Sequence, residues 1–248
     1  MKRKQLVAGI LAVLLAFTPI QSVRAEGGIA LDTSHFPDKI FREYVSKKFD
    51  TDKDGMLSEI EIDDITAVDC SNKGISSLVG IEHFRWLKSL NCNNNKLTKL
   101  DVSKNIWLTS LRCKENKLTK LNVRKNTDLY RLCCQKNKIR KLDVSRNEKL
   151  YTLFCQKNKL TKLDLRWNSK LCVLRAYKNK LRRVDLAKGH VDVMNLGRKT
   201  WGPLSLKGQG KNLTITVATE DDLVWANINI LRVYAAVSKA KIVIRKKK

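Results

Sequence analysis

From Leu87 to Asn179, apolar and polar positions recur every 21 residues, in units beginning at Leu87, Leu108, Leu129, Leu150 and Leu171. Each reads L-x-x-L-x-C-x-x-N-x-L-x-x-L-D-V-x-x-N with limited variation. Alternate apolar places, as in Leu90-x-Cys92, predict a short strand whose alternate side chains turn inward. One unit cannot bury its own apolar face, so the copies are expected to stack as a solenoid around a continuous apolar column. A slightly longer sixth unit precedes them: Ile65, Val68, Cys70, Ile75 and Leu78 hold the same phases, with Lys73 in the Asn place, as suits an edge.

Polar positions repeat as faithfully. Asn95, Asn116, Asn137, Asn158 and Asn179 follow each strand where the chain must turn, and an inward amide there can satisfy backbone groups of its own coil and the next. Asn105, Asn126, Asn147 and Asn168 are placed to do the same at the opposite turn; this series ends at Gly189, where the solenoid is expected to stop. Of seven cysteines, Cys70, Cys92, Cys113, Cys134 and Cys155 take the inward strand phase, with Ala176 in the last unit. The odd count and parallel stacking favour small buried hydrophobes over disulfides, although export would permit them. Cys133 and Cys172 fall at outward phases and are the expected exposed thiols.

The signature L-x-x-L-x-[LC]-x-x-N-x-L is that of leucine-rich repeats, and over residues 35–190 the chain resembles short-repeat bacterial members similar to the internalin group. The resemblance implies an α/β repeat solenoid, a right-handed coil with parallel strands on a concave, partner-binding face and an EF-hand-like helical N-terminal cap. Internalin-like proteins often continue into an immunoglobulin-like module and anchoring elements. Residues 192–248 are shorter than the roughly 100 residues of such a module and show no wall-sorting pattern. "NLTITV" and "KIVIRKKK" within them read as strands. The organisation expected is therefore a signal peptide at 1–25, the cap at 26–64, repeats at 65–191 and a β-rich C-terminal cap or partial module at 192–248.

The leader reading rests on a basic start, an apolar run from Leu6 to Phe17 and the exit Val23-Arg24-Ala25. It predicts a secreted or cell-surface protein, with an uncleaved N-terminal anchor as the alternative. No transmembrane span is expected in the mature chain, since "LVWANINILRVYAAV" is interrupted by Arg232.

Between leader and repeats, "DTDKDGMLSEIE" carries Asp50, Asp52 and Asp54 at alternate places, then Gly55, the Met56 carbonyl, Ser58 and Glu61. This is the ligand spacing of a calcium-binding EF-hand loop: short carboxylates wrap a hard cation, Gly permits the sharp turn and Glu61 can close the site with both oxygens. Ser58-x-x-Glu61 also reads as a capping box, so a metal-free structural cap stands beside the calcium reading. The segment before it predicts a helix with Pro37 at its start and Ile40, Phe41, Tyr44, Val45 and Phe49 on one side.

Charge changes the picture last. The net charge is +26, but residues 26–86 hold 7 basic against 13 acidic residues, whereas residues 87–191 hold 28 against 7. Two columns recur, Lys96, Lys117, Lys138, Lys159 and Lys180, then Lys99, Lys120, Lys141, Lys162 and Arg183. Duplication alone could have copied them onto a solvated face, which keeps open a structural exported protein with incidental charge. The functional reading is a basic face for an anionic partner. It is strengthened by variation on the strands' outward phases, where Arg112, Arg131, Phe154, Arg175, Tyr177, Lys136, Lys157 and Lys178 break an otherwise copied background. The partner expected is a protein or an anionic glycan or cell-wall polymer; export argues against physiological nucleic acid. Three histidines in no ligand-like spacing and the lack of a hydrolase motif argue against an enzyme, leaving an unrecognised hydrolase as a third reading.

Overall fold

The computed structural model describes residues 28–176, 178–185, 214–217 and 241–244. The leader at 1–25, His190 and most of 192–248 lie outside them. In chain order the elements are β1 (Ile29–Ala30), α1 (Lys39–Phe49), β2 (Met56–Leu57), α2 (Glu59–Asp64), β3 (Ala67–Asp69), β4 (Ser89–Asn91), β5 (Ser110–Arg112), β6 (Arg131–Cys133), β7 (Thr152–Phe154), β8 (Lys162–Asp164), β9 (Val173–Arg175), β10 (Arg183–Asp185), β11 (Thr214–Val217) and β12 (Lys241–Ile244).

The repeats form a leucine-rich-repeat solenoid. Strands β3, β4, β5, β6, β7 and β9 lie side by side in one parallel sheet, one strand per coil. Register is constant: Val68, Leu90, Leu111, Leu132, Leu153 and Leu174 are successive partners, and all are buried. Slipping by one residue would turn this whole row to solvent, so the apolar pattern holds the register. A second parallel sheet, in the order β12-β11-β10-β8, lies across the coil from the first; Ile215 pairs beside Val184, and Leu163 beside Val184 on its other flank. The stretches read as strands in the tail thus supply β11 and β12. In the earlier coils that face has only the isolated bridge Asp101–Asn122.

Between the sheets runs the core. Cys70, Cys92, Cys113, Cys134 and Cys155 are fully buried within it, beside the Leu87, Leu108, Leu129, Leu150 and Leu171 column. All are free thiols. Burial pushes them up, Cys70 and Cys155 to about 12, which keeps them protonated.

The cap closes the first coil. Pro37 was expected to open α1, but Asp38 is the capping residue and Pro37 precedes it: Asp38 Oδ1 accepts from Phe41 N at 3.0 Å. The other oxygen of Asp38 accepts from Ser76 N, Ser76 Oγ and Ser77 N at 2.8, 2.6 and 3.1 Å, so one carboxylate caps the helix and binds it to the first coil. Burial would raise its pKa, yet these bonds outweigh it and hold the carboxyl below the ordinary range. Phe36 sits 6.4 Å from Phe84, ring centre to ring centre. It does so against Gly80, where φ is +104° and a Cβ would lie 2.3 Å from Phe36 Cδ1.

Candidate functional site

The outward residues of the large sheet form one row, Asp69, Asn91, Arg112, Cys133, Phe154 and Arg175, fixed by strand register. Arg131 lies one place before Leu132 on the same face, beside Ser110 and Thr152. The Arg175 guanidinium stands 4.8 Å from the centre of the Phe154 ring, a cation–π pair, and Arg112 acts on Asp69 at the row's other end. Cys133 is not the exposed thiol its phase suggested. It is 7% exposed, because its strand neighbours Arg112 and Phe154 are larger and cover it. Burial pushes its thiol up, with Arg131 and Arg112 pulling against that. Cys172 is half-buried.

Lys136, Lys157 and Lys178 belong to a different feature. With Asn72, Asn94 and Glu115 they have positive φ, from +53° to +57°, placing them in the left-handed turn that leaves each strand. They are not strand residues facing outward. Lys136 is ion-paired to Glu115, which Lys114 also approaches at 3.3 Å. Tyr177 lies outside the described residues. The structure therefore gathers Arg112, Arg131, Phe154 and Arg175 into one patch and sets the three lysines along its border.

Two aromatic pairs escaped the sequence reading. Trp86 stacks on Trp107 at 6.0 Å and Tyr130 on Tyr151 at 5.0 Å. Each pair is 21 residues apart, so the repeat itself carried the signal. His35 and His83 belong to cap packing: His35 bonds Asp32 at 2.9 Å, and His83 lies against Phe36.

In the acidic loop, Asp50, Asp52 and Asp54 each offer an oxygen within 4.8 Å of the others. Asp50 is only 6% exposed, yet its Oδ1 has no hydrogen-bond partner. A buried carboxylate oxygen without a donor is costly unless something cationic reaches it, and this group of three fits a hard cation. Gly55 takes φ +82°, making the turn expected of it. Strand β2, within the loop, pairs antiparallel with β1, so Met56 is matched to Ala30. Glu61 is not one of that group of three. Its Oε1 accepts from Thr51 N and Oγ1 at 2.6 and 2.7 Å, and its Oε2 accepts from Ser58 N and Oγ, each at 3.0 Å. The capping box is thus formed. Burial opposes ionisation of Glu61, but these bonds win and lower its pKa. The donors fit calcium from the three aspartates; closure by Glu61 would require it to exchange some of its present bonds.

No family model matches the chain. Internalin J of Listeria monocytogenes serotype 4b (strain F2365) is 40% identical over 70 residues, covering 28% of this chain and 8% of that protein. Among solved structures, a functional domain of InlJ from Listeria monocytogenes that includes a cysteine ladder is 31% identical, covering 80% of this chain and 45% of that one with a TM-score of 0.59. An internalin, InlF, from strain F2365 of the same species is similar in fold at 23% identity and a TM-score of 0.53, covering 77% of this chain and 58% of that one. The chain spans less than half the length of the first two. In this chain Cys70, Cys92, Cys113, Cys134 and Cys155 form a buried column, one to each of five successive coils. Among the described residues no helix is long and apolar enough to cross a membrane.

Proposed function

We propose that this internalin-like leucine-rich-repeat chain is an exported, non-catalytic binding protein that recognises an acidic protein surface through the large sheet. The observation that carries this reading is the patch of Arg112, Arg131, Phe154 and Arg175 on adjacent strands, with Arg175 over the Phe154 ring. Aromatic and arginine side chains dominate interface energies, and stacking on Phe154 already restrains the Arg175 guanidinium before a partner arrives. A partner carrying carboxylates around an apolar residue would complement them. The internalin relatives and the leader favour a secreted or surface location.

The test is a peptide-display selection against residues 26–248, followed by titration of the selected peptides. Phe154→Ala with Arg175→Ser is expected to weaken binding at least about tenfold, the scale of an interface hot spot. Lys117→Ser with Lys138→Ser, on another column, should change it little. Equal loss in both variants, or no loss in the first, would move the site elsewhere.

We further propose that the loop binds calcium structurally, through Asp50, Asp52 and Asp54, with the Met56 carbonyl, Ser58 and Glu61 completing the set. Buried Asp50 Oδ1 supports this. Millimolar calcium is expected to raise the melting temperature, an effect Asp50→Asn with Asp52→Asn should abolish. Calorimetry showing neither heat nor a shift would leave only a cap.

A further inference from the structure

On the face opposite the large sheet, a cavity of about 500 Å³ opens between the fourth and fifth coils. It lies at the edge of the second sheet, where β8 is the last strand and residues 141–143 of the preceding coil form no strand against it. Pairing that would draw the two coils together is interrupted at this place.

Its charge is not merely the basic background of the repeat. The two carboxylates in the lining are already matched. Asp164 is held by Arg166 through bonds of 2.8 and 2.6 Å, and Asp143 faces Arg124 of the preceding coil at 3.3 Å. Arg140 and Lys141 also line the cavity and have no ion pair among the described residues. Lys162 reaches Asp164 and Asp185 only at 3.9 Å. Arg140 and Lys141 therefore keep their charge where the acids of the lining are neutralised, with Lys162 only loosely paired beside them.

Trp167 supplies the other half. Its column reads Lys104, Lys125, Arg146 and Trp167, so an indole replaces a cation in this coil alone. It is 59% exposed at the cavity wall and contributes little to the core. An exposed flat ring beside unpaired cations is suited to a ligand with an apolar face and an anionic substituent. A pyranose bearing a carboxylate or sulfate has both: ring C–H groups lie on the indole while the anion meets Arg140 and Lys141. The cavity is also within the size range of ligand sites, about 300–1,000 Å³.

We propose that this groove binds an anionic sugar unit of a polysaccharide, on the side of the solenoid away from the protein-binding patch. The proposal does not depend on that patch.

The test titrates the full mature chain with polygalacturonate, heparin, neutral dextran and inorganic polyphosphate at two salt concentrations. The first two probes separate carboxylate from sulfate as the source of charge. Binding to one or both glycans is expected, with dextran inert. Trp167→Ala should weaken glycan binding at least about fivefold without changing its salt dependence, and Trp167→Phe should restore most of it. Arg140→Ser with Lys141→Ser should weaken binding and flatten the salt dependence. Lys117→Ser with Lys138→Ser, which removes the same charge elsewhere, should change it less than twofold. Failure to bind either glycan overturns the proposal. So does binding indifferent to Trp167→Ala, polyphosphate binding tighter than both glycans, or equal loss in the two lysine-containing pairs. Circular dichroism of each variant confirms that the fold is retained.

Discussion

The two turns of each coil are both built on asparagine, yet they use it differently. At the turn leaving the large sheet, Asn116 donates to Cys92 O and Cys113 O at 2.9 and 3.2 Å, while its Oδ1 accepts from Leu97 N at 3.0 Å. Asn137 repeats the set one coil later with Cys113 O, Cys134 O and Leu118 N. At the opposite turn, Asn126 and Asn147 only donate: Asn147 reaches Val123 O and Asn126 O at 2.9 and 2.8 Å, and the Oδ1 atoms of Asn105, Asn126, Asn147 and Asn168 are buried without a partner. Those carbonyls have other donors too, since Asn126 N bonds Val123 O and Leu129 N bonds Asn126 O. The first series therefore serves backbone groups that depend on it, whereas the second adds to bonds already made. One residue type at two repeating places carries unequal weight.

The largest expected effect follows from that inequality. Asn137→Ala leaves the buried Leu118 N–H without its acceptor and weakens two carbonyls, at a cost of about 2–4 kcal/mol by the usual penalty for unmet buried groups. Asn147→Ala removes donors whose acceptors retain partners and deletes an unpaired oxygen, so about 1–2 kcal/mol is expected. Urea melts of the two variants test the ranking; equal losses would break the comparison.

A smaller effect sharpens it. Lys157 has φ +57°, a conformation that Asn tolerates better than Lys. Lys157→Asn is expected to stabilise the protein by about 0.5–1 kcal/mol through relief of that strain. Arg146→Asn, at the opposite turn, is not among the positive-φ residues and should give no gain. If both variants melt alike, the left-handed column is not a source of strain.

The smallest effect is a pH dependence to which carboxylates beside the second sheet contribute. Asp101 and Asp143 accept bonds from Ser103 and Ser145, and Asp164 from Arg166; all three pKa values are lowered from 3.8. A lowered folded pKa contributes stability above the ordinary carboxylate range and loses it as pH falls through the folded value. Melting temperature should therefore decline below about pH 4, the unfolded carboxylate range, and Asp143→Asn with Asp164→Asn should flatten the decline. These groups are partly exposed, so solvent screening keeps the change small. The asparagines of the other turn do not titrate, and Asn95→Ala should leave the slope unchanged.

Repetition made most of this fold legible. Each coil's neighbour is nearly its copy, so a column in the sequence is a row in space, and the buried leucines, cysteines and asparagines could be read directly. Departures were harder. The left-handed turn was hidden because Lys is not a turn residue; only Asn72 and Asn94 in the same column hinted at it. Cys133 is buried by what its neighbours in adjacent strands happen to be, a property of three coils together. In the acidic loop, the same Ser58 and Glu61 spell both a cap and a candidate metal ligand, and spacing alone does not rank two uses of one carboxylate. The groove beside Trp167 depends on where strand pairing stops, which side-chain pattern does not encode.

The constant register of the large sheet also bears on how such a chain changes over generations. The bonds that seat one coil on the next run between immediate neighbours, so length is set by counting and not by closure. Gain or loss of 21 residues adds or removes one step of a ruler and leaves each remaining junction as it was. An insertion of any other length inside a strand offsets every row beyond it. Selection can therefore alter the reach of the molecule in whole steps while the surface residues on each step diverge independently.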